Sequence, residues 1–249
     1  MPPAVSPDHR TVLRALPWPE VRPYLTAGSG LPGPRANLEL MAAAADVLPD
    51  DLLRGLADEP DDYLRCCGTL GAARLLLEAS NDPAAPDAGS PAAALEHLLH
   101  ARAADPSWRV REATAMSLQR VGDSDPVRLR RLVDAWVADP DPLVRRAAIA
   151  GVCEPRLLAD PATARAALDA CARATTSIEV LPAPDRRDPD VRTLRQALGY
   201  CWSVAVAGVP EEGMAPFLAL GASADPDVGW IDRENRKKNR LRRLLDATA

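Results

Sequence analysis

The stretch Asp105–Val121 reads DPSWRVREATAMSLQRV, and its pattern decides the fold. Val110, Ala113, Thr114, Ser117 and Val121 recur at helical spacing, so one face of a helix is small and apolar. An Asp-Pro opening suits a helix start: Asp caps free backbone N–H groups, and Pro takes the first helical position, where its missing N–H costs nothing. The same opening returns four times. It reads EPDDYLRCCGTLGAARLL from Glu59, DPDPLVRRAAIAGV from Asp139, DPDVRTLRQALGYCWSVAVA from Asp188 and DPDVGWIDRENRKKNRL from Asp225, where Gly229 replaces the arginine. The acidic residues stand 46, 34, 49 and 37 apart, a range that suits helix-pair repeats with loop insertions. Second helices are predicted between the copies, over 127–137 (VRLRRLVDAWV) and 161–173 (PATARAALDACAR). A single pair cannot bury its own apolar face, so such pairs stack.

Composition agrees. Of 249 residues, 46 are alanine and 33 leucine, whereas isoleucine (3), tyrosine (3) and phenylalanine (1) are scarce. Helices favour the first set and strands the second, which argues against a sandwich, a barrel or a doubly wound sheet. With 47% hydrophobic and 26% charged residues the chain is globular. The expected organisation is one array over 1–249: an irregular lead-in at 1–34, then helix pairs over 35–249, the first at 35–57. Loops are expected at 80–91 (SNDPAAPDAGSP within it) and 175–190, the latter with a brief extended segment at Ser177–Val180.

The net charge of −5 is unevenly placed. Residues 1–100 carry 7 Arg against 14 Asp and Glu, while the rest of the chain is slightly basic. Such a balance does not announce a nucleic-acid binder. Five cysteines sit in apolar, helix-like stretches without C-x-x-C or zinc spacing, as buried thiols in a reducing cytoplasm would. No signal-like apolar core opens the chain, and no run of about 18 apolar residues could span a bilayer. A cytoplasmic protein that does not engage membranes is expected; its oligomeric state is left open.

Constellations for chemistry are weak. Gly28-Ser29-Gly30-Leu31-Pro32-Gly33 matches G-x-G-x-x-G, but Pro32 and Pro34 remove phosphate-binding N–H groups and no βαβ unit follows, so a turn is expected. Glu96, His97 and His100 share a helical stretch but lack a third strong ligand, and Cys66-Cys67 reads as core packing. With three histidines and no G-x-S-x-G there is little material for a hydrolase. No catalytic residue, cofactor or metal is assigned.

Binding candidates are clearer. Arg65, Arg111, Arg145 and Arg192 recur at one place in successive copies and would form a ladder, either tying repeat acids such as Asp105 and Asp139 together or facing a ligand. Arg233, Arg236, Lys237, Arg240 and Arg243 follow helical spacing, and residues 233–243 carry seven positive charges against Glu234. A continuous basic face is therefore expected on the last helix, with Trp230 one turn before it. Trp108 stands near a helix start beside Arg109 and Arg111, whereas Trp202 reads as core.

The acidic-x4-apolar-Arg pattern (Glu59…Leu64-Arg65, Asp105…Val110-Arg111, Asp139…Val144-Arg145) resembles the HEAT repeat. More locally, SGLPGPRANLEL (29–40), WRVREATAMSLQRV (108–121), LRQALGYCWSVAVAGVP (194–210) and WIDRENRKKNRL (230–241) resemble bacterial HEAT-repeat proteins of undefined activity. The two DPDV copies depart from the pattern by shortening the acidic-to-apolar gap. The resemblance implies an all-α, armadillo-like fold: a right-handed α-solenoid of about five to six helix pairs. It further implies a non-enzymatic scaffold or adaptor for a protein partner. The alternative is a nucleic-acid-binding relative of the HEAT-like alkylation-repair DNA glycosylases, with Asp188 or Asp190 as the nearest acids for the sugar cation.

Overall fold

A computed structural model describes residues 8–79, 87 and 89–248. The described residues are all-α: fourteen α-helices, two single 3-10 turns and no strand. They divide into two compact units, the first comprising the described residues up to Ser117 and the second running from Leu118.

The first unit holds α1 (His9–Ala15), α2 (Trp18–Gly28), α3 (Leu38–Val47), α4 (Asp50–Ala57), α5 (Asp62–Ala79) and α6 (Pro91–Ala103). It also holds the first ten residues of α7 (Trp108–Ser124). Helix α5 is the centre of this unit, packed on α3, α4 and α6. Gly68 lets α4 come close, because a Cβ there would stand 2.1 Å from the Ala57 nitrogen. The expected irregular lead-in is instead helical from His9. Asp8 caps α1 by accepting from the Arg10 N–H at 3.2 Å, and Leu13, Val21 and Leu25 are buried. Its prolines do not break the helices: Pro17 is the N-cap of α2 and Pro19 lies in the first turn, both tolerated places. The leading pair expected at 35–57 is present as α3 and α4.

The second unit continues α7 and adds α8 (Pro126–Val137), α9 (Pro142–Val152), α10 (Pro161–Glu179) and α11 (Pro189–Gly208). It closes with α12 (Pro210–Gly221), α13 (Pro226–Arg236) and α14 (Asn239–Thr248). Helices α8 and α10 stand where second helices were expected. Helix α11 is the axis of this unit, in contact with α9, α10, α12, α13 and α14. Trp202 on α11 is 1% exposed, donates from Nε1 to Thr175 Oγ1 at 2.9 Å and lies 6.3 Å from the Phe217 ring, so it is core as the sequence indicates.

The loop expected at 175–190 is shorter. Helix α10 carries through Ser177 and Ile178 to Glu179, so the extended segment is absent. Burial of Thr175 and Ile178 overrides their weak helix propensity. A 3-10 turn at Asp185–Arg187 then leads into α11. Of the loop expected at 80–91, residues 80–86 and 88 lie outside the described set; Ser90 caps α6.

The repeated Asp-Pro opening serves two different ends. Asp188 and Asp225 cap α11 and α13, with Pro189 and Pro226 at the first helical positions, as expected. Asp105 and Asp139 do not cap. Each lies about one turn upstream and accepts from Ser107 N–H and Asp141 N–H at 2.8 Å, while Asp141 caps α9. The longer gap in these copies reserves the first acid for another bond.

Candidate functional site

In the first unit that bond belongs to arginine. Arg65 on α5 donates from Nη1 to the Glu59 and Pro60 carbonyls at 2.7 and 3.1 Å, and from Nε to Asp105 at 2.9 Å. Its Nη2 reaches Asp62 at 2.9 Å. The Asp105 side chain is 3% exposed, so the clasp ties the α5 start to the turn before α7 with little screening. Arg111 repeats the first half, donating to the Asp105 and Pro106 carbonyls at 2.7 and 3.1 Å. At these copies the arginine is part of the frame.

Arg145, at the same place in the third copy, makes neither carbonyl bond. Its Nε is buried and has no hydrogen-bond partner among the described residues. It lines a cavity of about 570 Å³ between the starts of α9 and α11 and the end of α10. Ile178, Leu181, Val191 and Leu194 give that cavity an aliphatic wall, and Asp185 and Asp188 give it carboxylates.

Arg192 lies beyond, exposed, on a second concavity of about 760 Å³. Arg186, Arg187, Arg195, Asp225 and Asp227 share it. Arg186 is held on all sides: Nε donates to the Leu181 carbonyl at 2.8 Å, Nη2 to the Glu179 carbonyl at 2.6 Å, and Nη1 to the Asp225 carboxylate. It thereby satisfies carbonyls at the end of α10 and joins them to the start of α13. Burial raises the Asp225 pKa, but the Arg186 guanidinium and the Val228 and Asp227 N–H groups outweigh it and leave the carboxyl below its usual value. Arg195 pairs with Asp227 and lies 4.8 Å from the Trp230 ring centre. Trp230 itself seats on Gly199, where a Cβ would stand 2.9 Å from the ring. Trp230 is therefore part of the α11–α13 contact.

The basic stripe expected on one helix is divided. Helix α13 ends at Arg236 and α14 begins at Asn239, so Arg233 and Arg236 lie on one helix and Arg240 and Arg243 on the next. Asn235, fully buried, explains the seat of α13: its Nδ2 donates to the Leu198 and Ile231 carbonyls at 2.8 Å and its Oδ1 accepts from the Ser203 N–H at 2.8 Å. Arg236 is engaged by Asp232 at 2.9 Å, and Lys237 by Glu234. Arg240 donates to the Tyr200 hydroxyl at 2.8 Å and stacks on its ring. Arg233 remains exposed.

Trp108 is 55% exposed in the first unit, under the Arg109 guanidinium at 4.7 Å. It borders a mainly apolar groove of about 300 Å³ with Leu38, Met41, Ala113 and Met116; Leu38 is also 55% exposed. Trp108 is a candidate from the sequence, whereas Leu38 and Met41 carry no signal there that marks them as lining a groove. Arg186 and Asn235 are not among the candidates either, although the Arg186-Arg187 pair in a segment read as a surface loop is a visible signal.

The remaining candidates are framework. Gly28–Gly33 forms a turn, with Gly30 at φ +75° and the Ser29 carbonyl accepting from Asn37 N–H at 2.8 Å. All five cysteines are buried and unbridged, and burial pushes the Cys66 thiol up to about 12. Glu96, His97 and His100 lie on α6; no group of three or more potential ligands among the described residues could hold a metal. No helix among the described residues is long and apolar enough to cross a membrane.

No family model and no curated protein matches the chain. Among solved structures it is similar to two engineered proteins. One is 13% identical, with a TM-score of 0.36 and coverage of 96% of this chain and 95% of that one. The other is 16% identical, with a TM-score of 0.38 and coverage of 96% of this chain and 57% of that one.

Proposed function

We propose that the chain is a non-enzymatic scaffold of HEAT-type helix pairs, a right-handed solenoid of about five to six pairs, that holds a protein partner in the cytoplasm. The observation that carries this reading is the groove beside Trp108. Two large apolar side chains, Trp108 and Leu38, are each more than half exposed on one concave apolar surface. Exposed aromatic anchors in apolar recesses are the usual energetic centre of protein interfaces. The arginine clasp at Arg65 supports the repeat reading, since one bonding scheme serves both the turn and the next copy. The alkylation-repair alternative asks for a basic concave face, and the groove beside Trp108 is mainly apolar.

Photo-crosslinking in the source cells tests the reading, with the reactive group at position 108 and a control at Val180, which is 72% exposed. A discrete protein adduct at 108, absent at 180 and lost on Leu38→Asp, is expected. Equal labelling at both positions overturns the Trp108 docking site. Excision of methylated bases from alkylated DNA by the purified chain overturns the non-enzymatic reading.

A further inference from the structure

The third copy of the repeated opening keeps the arginine but not its bonds. Arg65 and Arg111 each donate to the carbonyls six and five residues before them, at 2.7 and 3.1 Å in both cases. Arg145 stands at the same place after Asp139-Pro140 and donates to neither; its Nε is buried without a partner. The Nε atoms of other arginines, Arg102, Arg109 and Arg195 among them, share that state, so what sets Arg145 apart is a guanidinium that makes neither of the turn-carbonyl bonds made by Arg65 and Arg111. The side chain lines a cavity of about 570 Å³, within the range of small-molecule sites.

The lining specifies the ligand. One guanidinium is accompanied by two carboxylates, Asp185 and Asp188, which disfavours a phosphate dianion and leaves room for a cation beside the anion it attracts. The wall made by Ile178, Leu181, Val191 and Leu194 suits a branched aliphatic body. Ser177 donates its hydroxyl to the Ala174 carbonyl at 2.7 Å, which leaves its oxygen as a further acceptor on the rim.

We propose that this cavity binds a small aliphatic zwitterion of amino-acid or dipeptide size, with its carboxylate on Arg145, its ammonium toward Asp185 and Asp188, and its side chains on the Ile178–Leu194 wall. The site lies wholly within the second unit and does not depend on the Trp108 groove of the first.

Isothermal titration calorimetry with leucyl-leucine is the test, alongside its N-acetyl and C-amide forms. The free dipeptide binds saturably in the millimolar range or tighter, and removing either terminal charge weakens it about tenfold. Arg145→Gln brings the free peptide down to the level of the amide, leaves the amide unchanged and weakens the N-acetyl form about tenfold further. Asp185→Asn, at an exposed position, weakens the free peptide and leaves the N-acetyl form unchanged. Thermal melts of both variants superimpose on the parent, which excludes misfolding as the cause. No saturable binding up to about 10 mM overturns the proposal. So does binding that ignores both terminal charges or survives Arg145→Gln. In either case the protein-docking reading of the first unit stands or falls on its own experiment.

Discussion

Arg65 and Arg145 begin from the same sequence rule and end in opposite situations. Around Arg65, the next copy's acid, Asp105, sits one turn ahead of its helix and is free to accept from the guanidinium at 2.9 Å. Ahead of Arg145, the next copy opens with Asp188 already at the helix start, and its carboxylate accepts from Asp190 N–H instead. Shortening the acidic-to-apolar gap moves the acid from the clasp to the cap. The arginine that would have been clasped then borders a cavity. A repeat can thus release one residue from structural duty by changing the spacing of the copy that follows it.

The largest break in this comparison is Arg65→Ala. It leaves the buried Asp105 carboxylate with only the Ser107 N–H and the more distant Arg102, 3.8 Å away, and removes donors from two turn carbonyls. A loss of about 3 kcal/mol is expected from orphaning a buried charge, read as a shifted midpoint in urea. Next comes Asn235→Leu. In the second unit Asn235 does across α11 and α13 what Arg65 does across its turn, and leucine there removes the buried side-chain bonds to the Ser203 N–H and the Leu198 carbonyl. About 2 kcal/mol of destabilisation is expected. If the variant melts with the parent, the buried amide is not the pin of these helices.

A smaller effect separates cap from charge at Asp225. Its carboxyl pKa is lowered in the folded chain, so the stability it contributes is present above the unfolded value near 3.8 and is lost as pH falls through the folded value. Asp225→Asn keeps an acceptor for the Asp227 and Val228 N–H groups but loses the charge toward Arg186. At pH 7 the variant is expected to be less stable by about 1 kcal/mol, with the difference closing below pH 4. A constant difference across that range would assign the contribution to geometry alone.

How much of the molecule is legible in the sequence follows from the kind of signal each feature leaves. Helices with alanine-rich stripes and Asp-Pro openings were legible, because capping and periodicity are local. The end of α10 was not, since Thr175 and Ile178 owe their helical state to burial against α11. The break after Arg236 was hidden for a related reason: spacing alone continues the basic stripe through Lys237 and Lys238, whereas Asn235 anchors α13 through contacts to α11. At the candidate sites, residue types were visible and their employment was not. Arg65 and Arg145 look alike in the chain, and only the placement of Asp105 and Asp188 relative to their helices tells them apart.

The smallest expected effect is therefore the most informative. Arg145→Ala removes no hydrogen bond among the described residues and relieves a buried, unpaired Nε. Two contributions oppose each other: the lost contact of the arginine stem with the cavity wall, and the removed cost of desolvating a donor without a partner. Because the two are of similar size and opposite sign, stability is expected to change by less than about 0.5 kcal/mol, against about 3 kcal/mol for the same substitution at Arg65. Equal losses at both positions would mean that Arg145 holds the α9–α11 region as Arg65 holds its turn, and the division between clasped and released arginines would have to be abandoned.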